Sequence, residues 1–253
     1  MDVVIKSFNG LGDLLFVTPT LRVIKETYPD TQITVNTNYP ELLKFNPFVA
    51  HIGREDVGVF LGYDDPIHAK HPDRHHIHAD WKIVCDAYGL DTPPPALKPE
   101  IYLSRSWKPV GERSGVGVQV HHKGHWYNKK VWPWFQSLCD MYPCLSGNRV
   151  EPIPAFDTTI GLVEHIASLR LVVCAEGGIS HIARAMGTPA IVLYGGFARP
   201  EWNGYEEHVN LCKYPPCGPC YHPNPCEGNF ERECFNEFTP SYVAGEIERV
   251  LEG

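Results

Sequence analysis

The stretch Leu171–Gly196, LVVCAEGGISHIARAMGTPAIVLYGG, constrains the fold of this chain more than any other. It predicts a buried strand over Leu171–Cys174, a small-residue turn over Ala175–Gly178, a helix over Ile179–Met186 and a second buried strand over Ala190–Tyr194. Ile179, Ile182, Ala183 and Met186 fall at i, i+3, i+4 and i+7, which makes one apolar helical stripe. Gly187 can end that helix, and Pro189 cannot continue it. Strand, helix and strand in this order form a βαβ unit, whose two strands lie parallel. Gly177 and Gly178 allow a close approach of the backbone, and the helix N-terminus behind them favours an anion. Such turns also serve in many α/β proteins merely to reverse the chain. Glu176 argues for a ligand here: beside a phosphate seat, a carboxylate is best used to accept hydrogen bonds from sugar hydroxyls. Phosphate together with hydroxyls describes a nucleotide or a nucleotide-sugar.

The remainder of the chain fits two α/β units. Val3–Phe8 predicts a first strand and Leu14–Tyr28 a helix, in which Pro19 is tolerable only near the start. Between them lies Asn9-Gly10-Leu11-Gly12-Asp13. Leu15 stands where a dinucleotide fingerprint has its third glycine, so a dinucleotide site is disfavoured. The turn instead holds the Asp13 carboxylate at the carboxyl end of a sheet, either as a catalytic group or as the N-cap of the helix. Further strands are expected at Ile33–Thr37, Val49–Ile52, Gly58–Tyr63 and Ile101–Leu103, with a short helix at Glu41–Phe45. His68, His71, His75, His76 and His78 precede a helix through Trp81, Val84, Cys85 and Tyr88. With Asp80 they could ligate zinc, but no pair has the spacing of a known helix site, and a solvated loop edging a cleft is the preferred reading. The polar, turn-rich stretch 107–114 marks the boundary between residues 1–108 and 109–253.

The second unit opens with a strand over Val116–Val120. A loop follows with three histidines (His121, His122, His125) and three lysines (Lys123, Lys129, Lys130) in a chain of net charge −8. It is an ordinary exposed basic loop or an anion clamp. Helices are expected at Phe135–Met141, Thr159–Leu169 and Thr239–Leu251. Little between Met141 and Thr158 is strand-like, so this unit reads as abbreviated.

The acidic balance of 22 basic against 30 acidic residues argues against broad nucleic-acid binding. The N-terminus carries no cleavable leader pattern and no apolar run reaches about 20 residues, so a cytoplasmic location without a transmembrane segment is expected. Of nine cysteines, Cys85, Cys139, Cys144 and Cys174 sit singly in apolar surroundings and read as core thiols. Cys217, Cys220, Cys226 and Cys234 have spacings that a tetrahedral structural zinc could collect, with Cys212 as a spare, and disulfides are the rival in an oxidising compartment.

Three motifs in order make the chain resemble glycosyltransferase family 9, the heptosyltransferases of lipopolysaccharide inner core. They are Gly10-Leu11-Gly12-Asp13 with Thr18-Pro19-Thr20-Leu21 and, later, Asn46-Pro47; Lys130-Val131-Trp132-Pro133; and the Glu176-Gly177-Gly178 turn before a helix bearing His181. The resemblance implies a GT-B fold, two Rossmann-like domains with parallel sheets facing across a cleft. Residues 1–108 would form the acceptor side and residues 109–253 the abbreviated nucleotide-sugar side, with the Cys-rich segment and the last helix. It implies an inverting transfer of a heptose or hexose from a nucleotide diphosphate sugar to an acceptor hydroxyl, without a metal cofactor in the chemistry. In that reading Asp13, presented by Gly10 and Gly12, is the general base, and Lys130 neutralises the diphosphate leaving group. His121 and His122 replace phosphate-contacting hydroxyl residues. Gly177, Gly178, Ile179, Ser180 and His181 hold phosphates, and Glu176 binds donor hydroxyls in place of the usual aspartate. A glycan or glycolipid precursor is the expected acceptor. A catalytically inactive sugar-nucleotide-binding protein, or a transferase acting on a modified nucleic-acid base, are the alternatives. Family members are longer, and their Asp-Thr-Gly and threonines stand here as Glu176-Gly177-Gly178 and His121-His122.

Overall fold

The computed structural model describes residues 1–61, 74–108, 111–121, 130–214, 218–219 and 233–253. The chain divides into two compact units, Met1–Lys108 and Pro109–Gly253.

The first unit is a parallel sheet of β1 (Asp2–Ser7), β2 (Gln32–Thr37), β3 (His51–Gly53) and β4 (Val59–Phe60), in the order β3-β2-β1-β4. Helix α1 (Leu11–Thr27) joins β1 to β2, and α2 (His76–Tyr88) packs against α1. Val3 and Ile5 of β1, Ile33 and Val35 of β2, and Leu14, Leu15, Phe16, Val17 and Leu21 of α1 form the buried interior. Tyr88, at the end of α2, uses its hydroxyl to accept from the Val4 N–H and to donate to the Val4 carbonyl, both at 2.9 Å. It thereby satisfies β1 at a residue that its short neighbour β4, paired only with Ile5 and Lys6, does not reach.

Several expectations are corrected in this unit. Helix α1 starts at Leu11, three residues early, and Pro19 sits in its interior. Proline offers no N–H to the Leu15 carbonyl, and the Thr18 hydroxyl donates to that carbonyl instead, at 2.8 Å. Residues Glu41–Phe45 hold only a 3₁₀ turn at Pro40–Leu42. Ile101–Leu103 is not a strand, because the chain there is tied to α1 by side chains: the Glu100 N–H donates to Thr18 Oγ1 at 2.8 Å and Arg22 Nε to Glu100 Oε1 at 2.6 Å. His75 and His76 are buried, not solvated, with both rings edge-on to Phe16. His68 and His71 lie outside the described residues.

The second unit is a six-stranded sheet in the order β10-β9-β8-β5-β7-β6. Its strands are β5 (Val116–Val118), β6 (Cys144–Leu145), β7 (Asn148–Pro152), β8 (Leu171–Ala175), β9 (Ala190–Tyr194) and β10 (Val209–Cys212). All pairs are parallel except the β6–β7 hairpin. The helices are α3 (Phe135–Met141), α4 (Thr159–Ser168), α5 (Gly178–Met186), α6 (Pro200–Asn203) and α7 (Pro240–Glu252). Residues 141–158 thus hold two strands that their sequence concealed. The Asn148–Pro152 run is polar because only one face of this near-edge strand is buried, through Asn148 and Val150. The abbreviation lies elsewhere: the chain runs from β7 through α4 straight to β8, and a hairpin strand closes the edge where a further parallel strand would lie. Gly117 in β5 is required by packing, since a Cβ there would overlap the Leu169 and Ile153 side chains.

On one face, Trp132, Phe135, Leu138, Val243 and Ile247 pack on the sheet, and the Trp132 indole N–H donates to the Phe238 carbonyl at 2.6 Å. Cys85, Cys139 and Cys174 are buried as expected, whereas Cys144 is exposed on the edge strand β6.

His208 is buried against Tyr205, and its Nδ1 finds no partner among the described residues. Burial, and then the Arg184 charge, lower its pKa to about 4. The unfolded chain takes up this proton near pH 6.5, so the folded state loses stability as pH falls from about 6.5 toward about 4. Urea unfolding at pH 7 and pH 5 should show about 2 kcal/mol more acid destabilisation in the native chain than in His208→Gln.

Candidate functional site

In an open parallel sheet, ligands settle at the carboxyl ends of the strands where the strand order reverses. In the first unit that point is the end of β1, which has β2 on one side and β4 on the other. In the second it is the ends of β5 and β8, neighbours in the sheet with β7 and β9 leading away in opposite directions. The residues singled out from sequence cluster after these strands.

After β1 the chain turns at Gly10, which is extended at φ −79° and ψ 165° and caps α1. Gly12 and Asp13 are buried in the helix's first turn. Asp13 is therefore not the N-cap: it stands at the third helical position, and its Oδ2 accepts the Gly10 N–H at 2.5 Å. The helix N-terminus and this N–H both favour the charged carboxylate. On α2, burial first and then the Asp13 charge push the buried Asp80 carboxyl well above the usual carboxylate range. Nothing in its sequence neighbourhood beyond the histidines marked it out.

After β8 comes the glycine turn. Gly177 has φ 141°, a region that disfavours residues with a Cβ, and a Cβ there would meet nothing within 4 Å. The glycine is thus required by backbone conformation, with open space above it, and not by packing. Helix α5 then begins at Gly178. Its first N–H groups have no carbonyl a turn earlier within the helix, the arrangement suited to phosphate oxygens. The Ser180 hydroxyl is folded back, donating to the Gly177 carbonyl at 2.8 Å and accepting its N–H at 3.3 Å, which fixes the turn. Gly178 and Ile179 are half-buried. His181 is buried, and its Nδ1 is hydrogen-bonded to the Tyr205 hydroxyl at 2.8 Å.

Glu176, immediately before the turn, is buried. Its Oε1 forms an ion pair with Lys130 Nζ at 2.7 Å, and its Oε2 accepts from Asn203 Nδ2 at 3.0 Å. Lys130 also lies over the Phe197 ring, 4.3 Å from its centroid. Two residues expected to touch different parts of a donor therefore touch each other, and Glu176 holds Lys130 in place. Burial, and then the Glu176 charge, push the Tyr194 hydroxyl and the Cys174 thiol well up, so both stay neutral beside this pair.

The end of β5 is tied to the end of β8. The Gln119 N–H donates to the Val173 carbonyl at 2.9 Å, and its Oε1 accepts the Ala175 N–H at 3.1 Å. His121 follows, exposed. His122 lies outside the described residues. Asn203, Phe197, Tyr205 and Gln119 were missed by sequence reasoning. The Gly195-Gly196 pair before Phe197, at the end of a buried strand, is a signal that could have pointed to this region.

Of the zinc candidates, Cys217, Cys220 and Cys226 lie outside the described residues. Cys234 is buried, its Sγ close against Gly196, where an added Cβ would come within 2.7 Å of it. Among the described residues no group of three or more His, Cys, Asp or Glu side chains could hold a metal.

The model of glycosyltransferase family 9 (heptosyltransferase) matches residues 160–229, the segment containing the glycine turn, Glu176, His181, Phe197 and Asn203. In that segment the chain resembles glycosyltransferase family 9, and its fold is GT-B. Several solved structures resemble it, three of them as follows. The iron-containing dodecameric glycosyltransferase TibC of enterotoxigenic E. coli superposes with a TM-score of 0.74 at 14% identity, over 100% of this chain and 78% of that one. E. coli ADP-heptose lipopolysaccharide heptosyltransferase II gives 0.67 at 17% identity, over 99% and 98%. E. coli heptosyltransferase WaaC with ADP gives 0.63 at 13%, over 99% and 100%. A comparison with curated protein sequences gives no match. Among the described residues no helix is long and apolar enough to cross a membrane.

Removing one partner of a buried ion pair leaves an uncompensated charge, typically a loss of several kcal/mol. The Lys130 side chain keeps 18% of its exposure and Asn203 still serves Glu176, so Lys130→Met should cost less, about 2–3 kcal/mol in urea unfolding. Adding Glu176→Gln to Lys130→Met should restore most of that loss, since no charge then remains buried.

Proposed function

We propose that this protein is an inverting glycosyltransferase that moves a heptose or hexose from a nucleotide diphosphate sugar to an acceptor hydroxyl. The observation that carries the reading is the positive-φ Gly177 turn at the start of α5, inside the segment that matches the family model, with a half-buried lysine fixed beside it by Glu176. Backbone N–H groups and a held ammonium suit a diphosphate, whose negative charge grows as the sugar departs. The ADP and ADP-heptose named for its structural relatives make an adenosine diphosphate sugar the first donor to try.

In the proposed reaction the acceptor oxygen attacks the anomeric carbon and passes its proton to the Asp13 carboxylate. The bond from that carbon to the diphosphate oxygen breaks, and its electron pair leaves with the nucleoside diphosphate. The sugar is inverted in this single displacement. Asp13 suits the role of base because its helix position keeps the carboxylate charged, and a base must be deprotonated before it can act. Lys130 supports the leaving diphosphate. Glu176 serves it by holding the lysine, with both carboxylate oxygens already engaged. The Ser180 hydroxyl and the Gly177 carbonyl fix the turn, and the His181–Tyr205 bond braces the helix behind it. In this reading residues 1–108 receive the acceptor, a glycan or glycolipid precursor, and residues 109–253 receive the donor, in the cytoplasm. His121 and His122 would contact its phosphates from the loop after β5.

The decisive experiment is transfer from ADP-heptose or ADP-hexose to lipopolysaccharide-type acceptors, with thermal shift as the binding readout. Native protein should transfer sugar and be stabilised by ADP. Asp13→Ala should keep the ADP shift and lose transfer by at least about 100-fold, the usual scale of general-base catalysis. Normal transfer by Asp13→Ala would refute the base assignment, and an ADP shift without any transfer would favour a silent sugar-nucleotide-binding protein.

The cysteines Cys217, Cys220, Cys226 and Cys234 are proposed as a structural metal site with no part in the chemistry. Cys234 is buried with its sulfur against the loop after β9, a position suited to anchoring a folded segment. Zinc is the expected metal, and TibC, described as iron-containing, makes iron the alternative. Elemental analysis of the purified protein should find about one metal per chain, lost in Cys217→Ser/Cys220→Ser.

A further inference from the structure

Asn203, Gly204 and Tyr205 run from the end of α6 toward β10, and the two side chains of this stretch reach opposite ends of the glycine turn. Asn203 Nδ2 donates to Glu176 Oε2 at 3.0 Å, just before the turn. The Tyr205 hydroxyl is hydrogen-bonded to His181 Nδ1 at 2.8 Å, just after it. Both bonds are buried, where a polar group deprived of its partner costs most. An apolar side chain of similar size would fill either place with no polar atom to satisfy, so packing alone does not account for an amide and a phenol here.

The stretch is itself fixed from two strands. The Gly204 N–H donates to the Pro200 carbonyl at 2.6 Å, and a Cβ on Gly204 would come within 2.7 Å of that oxygen and 2.8 Å of the Tyr194 hydroxyl. Close approach therefore requires this glycine and seats the stretch against the end of β9. From β10, Asn210 Nδ2 donates to the Tyr205 carbonyl at 2.9 Å, and the His208 N–H donates to the same oxygen at 3.1 Å. The Tyr205 ring meets His181 and His208 edge-on, with the Arg184 guanidinium 5.8 Å from its centroid. Burial, opposed by the Arg184 charge, pushes its hydroxyl well up, so the phenol stays neutral. Two arms thus extend from a base on β9 and β10 to a turn that follows β8.

Each arm has its own consequence. A carboxylate with both oxygens open to an ammonium can turn and draw that charge back toward the strand. With Oε2 taken by the Asn203 amide, Oε1 faces Lys130 at 2.7 Å, and the direction of the ion pair is set. Phe197 confines the ammonium from another side. The other arm bears on backbone. His181 is the fourth residue of α5, and its N–H donates to the Gly177 carbonyl at 3.2 Å, so holding its ring steadies the turn that presents the first N–H groups of the helix. We propose that Asn203-Gly204-Tyr205 is a two-armed latch on the glycine turn, in which Asn203 is a positioning residue for Lys130, acting through Glu176, and Tyr205 is a positioning residue for the start of α5, acting through His181. The latch rests on the transferase reading for its catalytic meaning, but not for its mechanics.

The mechanics are tested on the full chain with no substrate present. Tyr205→Phe, which removes a single oxygen atom, should speed amide hydrogen exchange at Gly177 and His181 by about 5-fold, the weight of one hydrogen bond, and leave the β8 amides unchanged. Unchanged exchange at the turn, or equal speeding in β8, would overturn the Tyr205 arm. In urea unfolding the losses from Asn203→Leu and Lys130→Met should not add, because both act on Glu176. Additive losses would overturn the Asn203 arm. The catalytic meaning is read from kinetics with an ADP-sugar donor. Asn203→Leu should lower kcat by about 10-fold with donor KM unchanged, and should cost nothing further in Lys130→Met. Tyr205→Phe should raise donor KM and weaken the ADP thermal shift with kcat unchanged. The opposite split, or an Asn203→Leu loss that persists in full in Lys130→Met, would overturn the positioning roles. If native protein transfers no sugar while the exchange and unfolding results hold, the transferase reading fails and the latch stands.

Discussion

The second unit is organised around one buried negative charge. Glu176 ends β8 at the point where the sheet's strand order reverses, and a bare carboxylate there would cost several kcal/mol in lost hydration. Lys130 and Asn203 offset that cost from two other stretches of chain, the segment leading to α3 and the short helix α6. The ion pair therefore joins parts of the molecule far apart in sequence and sets them beside the Gly177 turn. Phe197 closes over the lysine from the loop after β9. An arrangement of this kind positions a cation rigidly, which is what an electrostatic catalyst of diphosphate departure requires.

The first unit solves a parallel problem by different means. Asp13 is anchored by the Gly10 N–H and the start of α1. Helix α1 has to deliver Asp13 at one end and bury an apolar face along its length, and it does so across an interior proline because Thr18 supplies the hydrogen bond that Pro19 lacks. The same threonine oxygen accepts from Glu100, so one hydroxyl both repairs the helix and anchors the crossing segment.

The elements readable from sequence were those whose local pattern and tertiary role agree. The strand–turn–helix–strand run at Leu171–Tyr194 was legible because both strands are buried throughout and Gly177 and Gly187 take the positive φ that ends and starts the elements. The β6–β7 hairpin was hidden because a near-edge strand buries little, so Asn148–Pro152 carries no apolar alternation. Ile101–Leu103 misled in the opposite sense: its residues are β-formers, but the chain beside it is tied to α1 through Glu100 and forms no ladder. The chemistry of individual residues was legible, but their partnerships were not. Nothing in the chain announces that Asn203 reaches Glu176, because that depends on how the short helix α6 folds back on the end of β8.

The bond between Asp13 and the Gly10 amide has an implication for recovery after catalysis. An acid that has just accepted a proton is a poorer acceptor for that amide and no longer complements the positive end of α1. In the reaction proposed above, the scaffold would thus penalise the spent form of the base, and the drive to return its proton would be built into the first turn of the helix.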